Sequence, residues 1–344
     1  MIASGPAEVE TTLAHYARIV GSAMDDVLCQ GEPADYLSDL VRDYPSRRSK
    51  GIRPALVLAA CQAYGGSVRE GLGPAVAVEL LHNAFLIHDD IEDASARRRG
   101  RPTLHQLHGL PLAVNAGDAL AIMALLPLRD WGALGARVSR QISDELLAMV
   151  RQTTEGQALE LGWRRNNVVD LTATDYLRLI AKKTCCYTTV APLRMGAVAG
   201  SRGTASLRAL TRFGFYLGVA FQIRDDLLSV VGHDGEHGKE ALDDIREGKR
   251  TLMLLHLISE ASKDDRAWLV AYLASPHTER EPHDIERVWR LMLRHGSIEF
   301  AQQYAASIER AATVAFDAAF AYVPDSPHLH FIRGLVPYML TRNH

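Results

Sequence analysis

Apolar residues recur at intervals of three and four along most of the chain, the spacing at which one face of an α-helix meets a core. Leu13, Tyr16, Ala17 and Val20 show this spacing in the first such segment. We find no convincing apolar–polar alternation of the kind that marks a half-buried strand, and no short sequence repeat. The pattern predicts an all-α fold in which residues 1–344 form a single-domain helical bundle around a central apolar cavity.

Proline, glycine and capping residues bound the predicted helices. The first two should cover residues 9–29 and 36–44, with Pro45 ending the second. The others are expected at 54–64, 70–93, 115–126, 138–161, 175–200, 207–231, 251–262, 265–273, 284–295, 298–319 and 329–340. A glycine- and histidine-rich loop at 232–238 follows the helix at 207–231.

The composition narrows the class of protein. The chain is 47% hydrophobic with a net charge of −3, an ordinary globular composition without the basic excess of a nucleic-acid-binding protein. Its longest apolar runs are interrupted by charge or glycine, so none is predicted to span a membrane. The N-terminus has neither the basic start nor the apolar core of a signal peptide. Cys29, Cys61, Cys185 and Cys186 lack metal-ligand spacing, and we expect reduced thiols in a cytoplasmic protein.

An acidic segment at residues 89–93 carries the first candidate chemistry. It follows the apolar run 76–87 and precedes three arginines at 97–99. Helical spacing puts Asp89 and Asp93 on one face, with Asp90 close beside them. Carboxylates packed this way repel one another unless a cation neutralises them, and Mg²⁺ takes one or two carboxylates plus substrate phosphates. The arginines are suited to hold those phosphates. A solvated acidic helix end before a basic loop would show the same pattern.

A second acidic cluster of the same kind occurs at residues 221–226, where Asp225 and Asp226 follow the apolar run 213–220. Two acidic clusters on two helices suggest a site in which two or three Mg²⁺ ions grip a diphosphate. A basic turn bearing Lys50 and Arg53 opens the helix that begins at Pro54. Proline suits a helix start and helix N-termini favour anions, so this turn is a further candidate phosphate site.

These motifs carry a family resemblance. The stretches FLIHDDIEDASARRRGRPTLH and FQIRDDLLSVVG resemble the first and second aspartate-rich motifs of the trans-isoprenyl diphosphate synthases, the polyprenyl synthetase family. The resemblance runs from about residue 50 to residue 342 and is nearest to short-chain geranylgeranyl and farnesyl diphosphate synthases. It implies the isoprenoid synthase fold, a homodimer and Mg²⁺ dependence. The implied substrates are isopentenyl diphosphate and an allylic diphosphate: dimethylallyl, geranyl or farnesyl diphosphate.

The resemblance also assigns roles to residues. It implies metal ligands at Asp89, Asp90, Asp93, Asp225 and Asp226. It implies an isopentenyl diphosphate site at Lys50, Arg53, His82 and Arg99. It implies an allylic diphosphate site at Arg98, Lys183, Thr184, Gln222, Lys239 and Lys249, the last two on a mobile lid. This chain departs from the motif with Ser229 in place of the third acid of the second cluster.

The implied reaction is head-to-tail chain elongation. An allylic diphosphate ionises, the double bond of isopentenyl diphosphate attacks the carbocation, and a proton passes to the departing pyrophosphate. Mg²⁺ on the aspartates, together with Arg98, Lys183, Lys239 and Lys249, would stabilise the charge that builds on the leaving group. The carbocation needs a dry pocket, which the apolar runs before the two acidic clusters are suited to line.

Product length should depend on the residues below the first acidic cluster. Phe85 lies one helical turn, about 5.4 Å, beneath Asp89, beside the small Ala84, and Leu81 lies about two turns down. One aromatic residue beside a small one predicts a C20 product, with C15 as the alternative.

Three other functions are alternatives to a prenyl diphosphate synthase. A class I terpene cyclase would not need Lys50, Arg53, His82 and Arg99, which indicate a second diphosphate site. A non-catalytic subunit of a heteromeric synthase would tend to lose acids from one cluster. A structural or metal-storage protein would have no need of the basic segments.

Overall fold

The computed structural model describes residues 3–28, 31–47, 49–129, 132, 134–231 and 242–341. The chain is 79% helical, which confirms the all-α prediction. The α-helices are α1 (Pro6–Val27), α2 (Asp39–Ser46), α3 (Ile52–Ala63), α4 (Val68–Glu92), α5 (Leu104–His108), α6 (Leu110–Met123), α7 (Ala136–Arg165), α8 (Ala173–Ile180), α9 (Ala191–Gly200), α10 (Leu207–Val231), α11 (Asp243–Glu247), α12 (Leu252–Glu260), α13 (Lys263–Ala274), α14 (Pro282–Arg294), α15 (Ser297–Ala319) and α16 (Pro327–Thr341).

Short irregular helices join some of these elements. Ala34–Ser38 and Ala181–Val190 are π-helical, and Leu126–Leu128 and His277–Glu279 are 3₁₀ turns. The predicted helix at 175–200 is therefore interrupted: α8, a π-helical stretch and α9 follow one another. The expected stop at Pro45 was wrong by one residue, since α2 continues to Ser46.

Some short elements escaped the sequence pattern. Helices α5 and α11 each have five residues, too few for a helical period to show. Two-residue strands β1 (Arg97–Arg98) and β2 (Arg101–Pro102) pair antiparallel, which corrects the expectation that no strand would form. Helix α6 begins at Leu110, five residues before its predicted start. The predicted loop at 232–238 and Cys29 lie outside the described residues.

Helices α3 and α4 lie at the centre of the first core. Nearly every residue of α3 is buried, and so is an unbroken stretch of α4 from Pro74 to Ala84. A helix that is apolar on all sides is covered on all sides, so these two are surrounded by other helices. Helix α9 packs directly on α3. Glycine at position 196 permits this close approach, since any side chain there would collide with the carbonyl of Val57.

A second core lies among α8 and α10 to α15. Helix α10 belongs to both cores: Phe213 and Leu217 pack in the first, and Ile223 and Leu227 pack in the second. This sharing places the C-terminal half of α10, with its acidic cluster, at the junction of the two cores. The prediction of one domain over residues 1–344 stays a prediction.

One apolar stretch has the length and composition of a membrane-crossing helix, but it does not amount to a clear membrane span. It runs from Leu110 to Leu128, and 28% of it is buried. Helix α6 itself has 14 residues and ends at Met123, so it is about 21 Å long, short of the ~30 Å of a bilayer core. Its exposed apolar side chains include Leu110 at 55% and Ile122 at 68%. The stretch is therefore too exposed to be an ordinary core helix, and it presents an exposed apolar patch.

A cavity of about 260 Å³ lies between α1, the start of α4 and α7. Its lining includes Leu72 and Val76, near the opposite end of α4 from the acidic cluster. It therefore does not correspond to the predicted cavity below Asp89, which stays a prediction. Cys61, Cys185 and Cys186 are free thiols, as expected.

Candidate active site

The first acidic cluster lies at the C-terminal end of α4, where Asp93 caps the helix. The Lys183 Nζ is 3.3 Å from the Asp89 carboxylate, and the Gln157 amide donates a hydrogen bond to it at 3.2 Å. Asp93 is 3% exposed and pairs with Arg164 and Lys249. Burial alone would raise the pKa of Asp93, but the positive charges of Lys249 and Arg164 hold it below its usual value.

Asp90 is turned away from the other two aspartates of this cluster. It is fully buried, and the Tyr44 hydroxyl donates to one carboxylate oxygen at 2.5 Å. The other oxygen accepts hydrogen bonds from Nε and Nη2 of Arg98, the first at 2.8 Å. Both carboxylate oxygens are thus occupied by protein groups. In the structure Asp90 anchors Arg98, and its role as a metal ligand stays a prediction.

The turn that carries Arg98 and Arg99 is held by a residue that the sequence did not single out. Arg47 is 4% exposed and donates to the carbonyl of Arg98 at 3.0 Å and to that of Pro102 at 2.7 Å. Arg99 in turn donates to the carbonyl of Arg47 at 3.1 Å. Arg99 has a φ of +53°, so these contacts hold the backbone in a conformation that L-residues rarely adopt.

The second acidic cluster lies on α10. Asp226 is 6% exposed, and it accepts hydrogen bonds from the Tyr176 hydroxyl at 2.9 Å and the Gln222 amide at 2.7 Å. Burial, with the negative charge of Asp244 adding to it, raises the pKa of Asp226 to about 7. Asp225, next to it, is exposed.

Ser229 occupies the position of the missing third acid, and a carboxylate from elsewhere reaches it. Its hydroxyl donates to Asp244 at 2.7 Å. Asp244 is 7% exposed and belongs to the short helix α11. The second cluster therefore acquires an additional acid through the tertiary structure rather than from α10 itself.

Two lysines contact the acids of this site. The Lys249 Nζ lies 3.3 Å from Asp93 and 3.6 Å from Asp244, so one ammonium contacts acids associated with both helices. Burial would lower the pKa of Lys249, but the carboxylates of Asp93 and Glu247 raise it well above its usual value. Lys183, which pairs with Asp89, also pairs with Glu160 and is likewise held charged.

The neighbour of Lys183 completes the connection between the clusters. The Thr184 hydroxyl donates to the Gln222 side chain at 2.7 Å, and Gln222 in turn donates to Asp226. Helix α7 can approach this segment closely because Gly156 faces the backbone of Lys183, where any side chain would collide. Lys239, the other predicted lid lysine, lies outside the described residues.

A separate basic group lies between α3 and α4. Nη1 of Arg53 is 3.3 Å from Nε2 of His82, and burial together with Arg53 lowers the pKa of His82 well below its usual value. Arg53 and His82 are both more than nine-tenths buried. Even so, Nε of Arg53 and Nδ1 of His82 have no hydrogen-bond partner. The charge of Arg99 acts on His82 as well. The contact seen for Lys50 is with the ring of Tyr338, at 5.7 Å.

Sequence reasoning missed the contribution of α7. Gln157, Glu160 and Arg164 contact Asp89, Lys183 and Asp93 in turn. Their spacing of three and four residues puts them on one face of α7, and that polar stripe was the available signal. Tyr44 and Tyr176, which bind Asp90 and Asp226, gave no such signal because each acts alone.

The donors present fit magnesium. Among the described residues, no three carboxylate, imidazole or thiolate groups converge on a common point. Mg²⁺ does not require such a cage, because it is commonly held by one or two carboxylates together with substrate phosphates and water. Asp89 and Asp93 supply hard oxygen ligands one helical turn apart, and the adjacent lysines and arginines are suited to the phosphates.

Comparisons with known proteins show which family the chain resembles. The model of the polyprenyl synthetase family matches residues 34–292. Geranylgeranyl diphosphate synthase from Saccharolobus solfataricus is 32% identical over 257 residues, which cover 74% of this chain and 76% of that protein.

Two solved structures share the fold over nearly the whole chain. Geranylgeranyl pyrophosphate synthetase from Pyrococcus horikoshii matches with a TM-score of 0.86 at 27% identity, covering 98% of this chain and 99% of that one. Geranylgeranyl pyrophosphate synthase from Corynebacterium glutamicum, solved with isoprenyl diphosphate and magnesium, has a TM-score of 0.81 at 26% identity and covers 98% of each chain. With both acidic clusters in place and the family model matching most of its length, the chain belongs to the polyprenyl synthetase family.

Proposed function

We propose that this protein is a trans-prenyltransferase that condenses isopentenyl diphosphate head-to-tail with an allylic diphosphate and forms geranylgeranyl diphosphate, a C20 product. The observation that carries the proposal is the pairing of two different anion sites. Lys249 contacts Asp93 of the first cluster and Asp244 beside the second, and Lys183 contacts Asp89. A separate basic group at Arg53 and His82 keeps two buried nitrogens without partners. A condensing enzyme needs two diphosphate sites, whereas a cyclase needs one.

The acidic clusters would hold the allylic substrate by its diphosphate. Asp89 and Asp93, with Asp225 and Asp226 opposite, would bind two or three Mg²⁺ ions, and bound magnesium supplies neutralisation of the diphosphate charge. We assign Asp90 to positioning Arg98 rather than to metal binding, since its two oxygens already accept hydrogen bonds from Tyr44 and Arg98.

Cationic side chains act on the leaving group. Arg98, Lys183 and Lys249 lie beside the acids, and their charges favour the negative charge that builds on the diphosphate as the C–O bond breaks. The allylic carbon then bonds to the terminal alkene carbon of isopentenyl diphosphate, and the released pyrophosphate accepts the proton. The family motif alone assigns the same role to Lys239. The family motif also assigns Thr184 and Gln222 to binding of the allylic diphosphate.

The second substrate would occupy the basic group. Arg53, His82 and Arg99 would bind the isopentenyl diphosphate, with Lys50 at the entrance. The lowered pKa of His82 keeps its imidazole neutral at pH 7, so it binds by hydrogen bonding rather than by charge.

The deciding experiment is incubation of the purified protein with Mg²⁺, isopentenyl diphosphate and each primer in turn, followed by chromatography of the dephosphorylated products. We expect a C20 alcohol that requires isopentenyl diphosphate. A C15 alcohol would instead indicate a farnesyl diphosphate synthase. A cyclic hydrocarbon formed without isopentenyl diphosphate would contradict the proposal.

Replacing Phe85 by alanine should lengthen the product beyond C20. Phe85 lies one turn below Asp89 and is half-buried, whereas Ala84 and Leu81 beside it are buried. Removing its ring opens space along the direction in which the tail grows. Products of the variant are compared with those of Phe300→Ala, which removes another half-buried ring, one stacked on His256 in the second core. An unchanged product from Phe85→Ala would exclude Phe85 as the stop.

We further propose that the enzyme is a homodimer and cytoplasmic. The dimer surface is the exposed apolar face of α5, α6 and the following turn, formed by Leu107, Leu110, Val114, Ile122, Leu125 and Leu126. A two-fold dimer places the same face of each subunit against the other, so one apolar patch satisfies both. Burying a side chain of this size contributes about 1.5–3 kcal/mol.

Ile122→Glu should therefore shift the protein toward monomer in sedimentation velocity. The substitution places a charge in the interface twice, once from each subunit. The matched control is Val314→Glu, because Val314 has the same exposure, 68%, on a different helix. Identical sedimentation of the two variants would exclude this face as the interface.

A further inference from the structure

A second aromatic residue, Tyr187, packs against Phe85 below the first acidic cluster. It lies on the π-helical stretch Ala181–Val190, four residues after Lys183. Lys183 pairs with Asp89, and the ring of Tyr187 meets Phe85 edge to face, with centroids 6.0 Å apart at 89°. The π-helical stretch thus contacts α4 at two levels, once at Asp89 and once a helical turn below it, at Phe85.

The polar end of Tyr187 reaches the basic group. Its hydroxyl accepts a hydrogen bond from Nη2 of Arg53 at 2.8 Å, and its ring lies 4.4 Å from the Arg53 guanidinium carbon. The ring centroid is also 5.9 Å from that of His82. One side chain therefore touches Arg53 and His82, two residues of the proposed isopentenyl diphosphate site, and Phe85, the residue proposed to stop the growing tail.

We infer that Tyr187 is a specificity-determining residue that couples the two ends of the reaction: its hydroxyl positions Arg53 for isopentenyl diphosphate, and its ring forms the tail wall with Phe85. The hydrogen bond restrains the ring at its polar end, while Phe85 packs against its apolar edge. A wall built from two rings on opposing helices resists a growing tail better than one ring does, because each limits the rotation of the other.

The inference rests on the proposed function, and it separates into two measurable effects. Tyr187→Phe keeps the ring and removes the hydroxyl. Arg53 then retains its 3.0 Å hydrogen bond to Thr188 but loses the one to Tyr187. We expect the KM for isopentenyl diphosphate to rise about tenfold or more, the value of one hydrogen bond to a charged group. The KM for the allylic substrate and the product length should stay unchanged.

Tyr187→Ala removes the ring as well. It should raise the KM for isopentenyl diphosphate and lengthen the product, and Phe85→Ala/Tyr187→Ala should lengthen it further than either single substitution. Tyr216→Phe is the matched control, because it removes the hydroxyl of another half-buried tyrosine, whose ring contacts Phe215 and Arg212. It should leave both readouts at the wild-type values.

The experiment is steady-state kinetics with each substrate varied in turn, combined with product chromatography of the same reactions. An unchanged KM for isopentenyl diphosphate in Tyr187→Phe, or an unchanged product in Tyr187→Ala, overturns the inference. Wild-type protein that fails to condense the two substrates overturns the proposed function instead, so the two failures are distinguishable.

Discussion

Asp89→Asn should lower kcat about 100- to 1,000-fold, the usual cost of removing one electrostatic group that acts on developing charge. The substitution keeps the shape of the side chain and removes its charge. Asp89 is 24% exposed and contacts Lys183, Arg98 and Gln157. On the proposed mechanism, its loss would weaken metal binding and change the position of two cations assigned to the leaving diphosphate.

The measurement is incorporation of labelled isopentenyl diphosphate at saturating magnesium, with circular dichroism to confirm that the variant is folded. Glu92→Gln is the matched control on the same helix. Glu92 is exposed and shares the Gln157 amide with Asp89, but among the described residues it forms no ion pair with Lys183 or Arg98. It should retain most of its activity. Wild-type turnover in Asp89→Asn would remove Asp89 from the mechanism.

Arg98→Met should destabilise the protein by about 3 kcal/mol, because it leaves a buried carboxylate without its cation. Asp90 is fully buried and Arg98 is 13% exposed, so water cannot replace the lost partner of Asp90. The Tyr44 hydroxyl would remain as a donor but carries no charge. The same substitution should also lower kcat by about 100-fold or more, since our proposal assigns Arg98 to the leaving group.

A second variant separates the two effects. In Asp90→Asn/Arg98→Met the buried charge is gone, and an asparagine oxygen can still accept from Tyr44. This variant should recover most of the lost free energy of unfolding in urea titrations and remain as inactive as Arg98→Met. A double variant that regained activity would show that Arg98 serves stability alone. A single variant as stable as wild type would show that the Asp90–Arg98 pair contributes little.

The local sequence pattern was sufficient to predict most of the helices and the position of both acidic clusters along the chain. Helical periodicity depends on neighbours three and four residues apart, and α10 ends as predicted at Val231. Asp89 and Asp93 share a face for the same local reason. The interruption of 175–200 by a π-helical stretch was not predictable in this way, because one altered turn changes the periodicity very little.

The sequence by itself determined that this is an all-helical chain with two acidic helix segments and basic segments of family-typical spacing. The tertiary structure decided which groups act together. Asp90 became an anchor because Tyr44, 46 residues away, closes over it. Asp244 took the place beside Ser229, and Tyr187 reached Arg53 across 134 residues. Such contacts depend on how helices pack side by side, and packing joins residues whose separation along the chain carries no periodic signal.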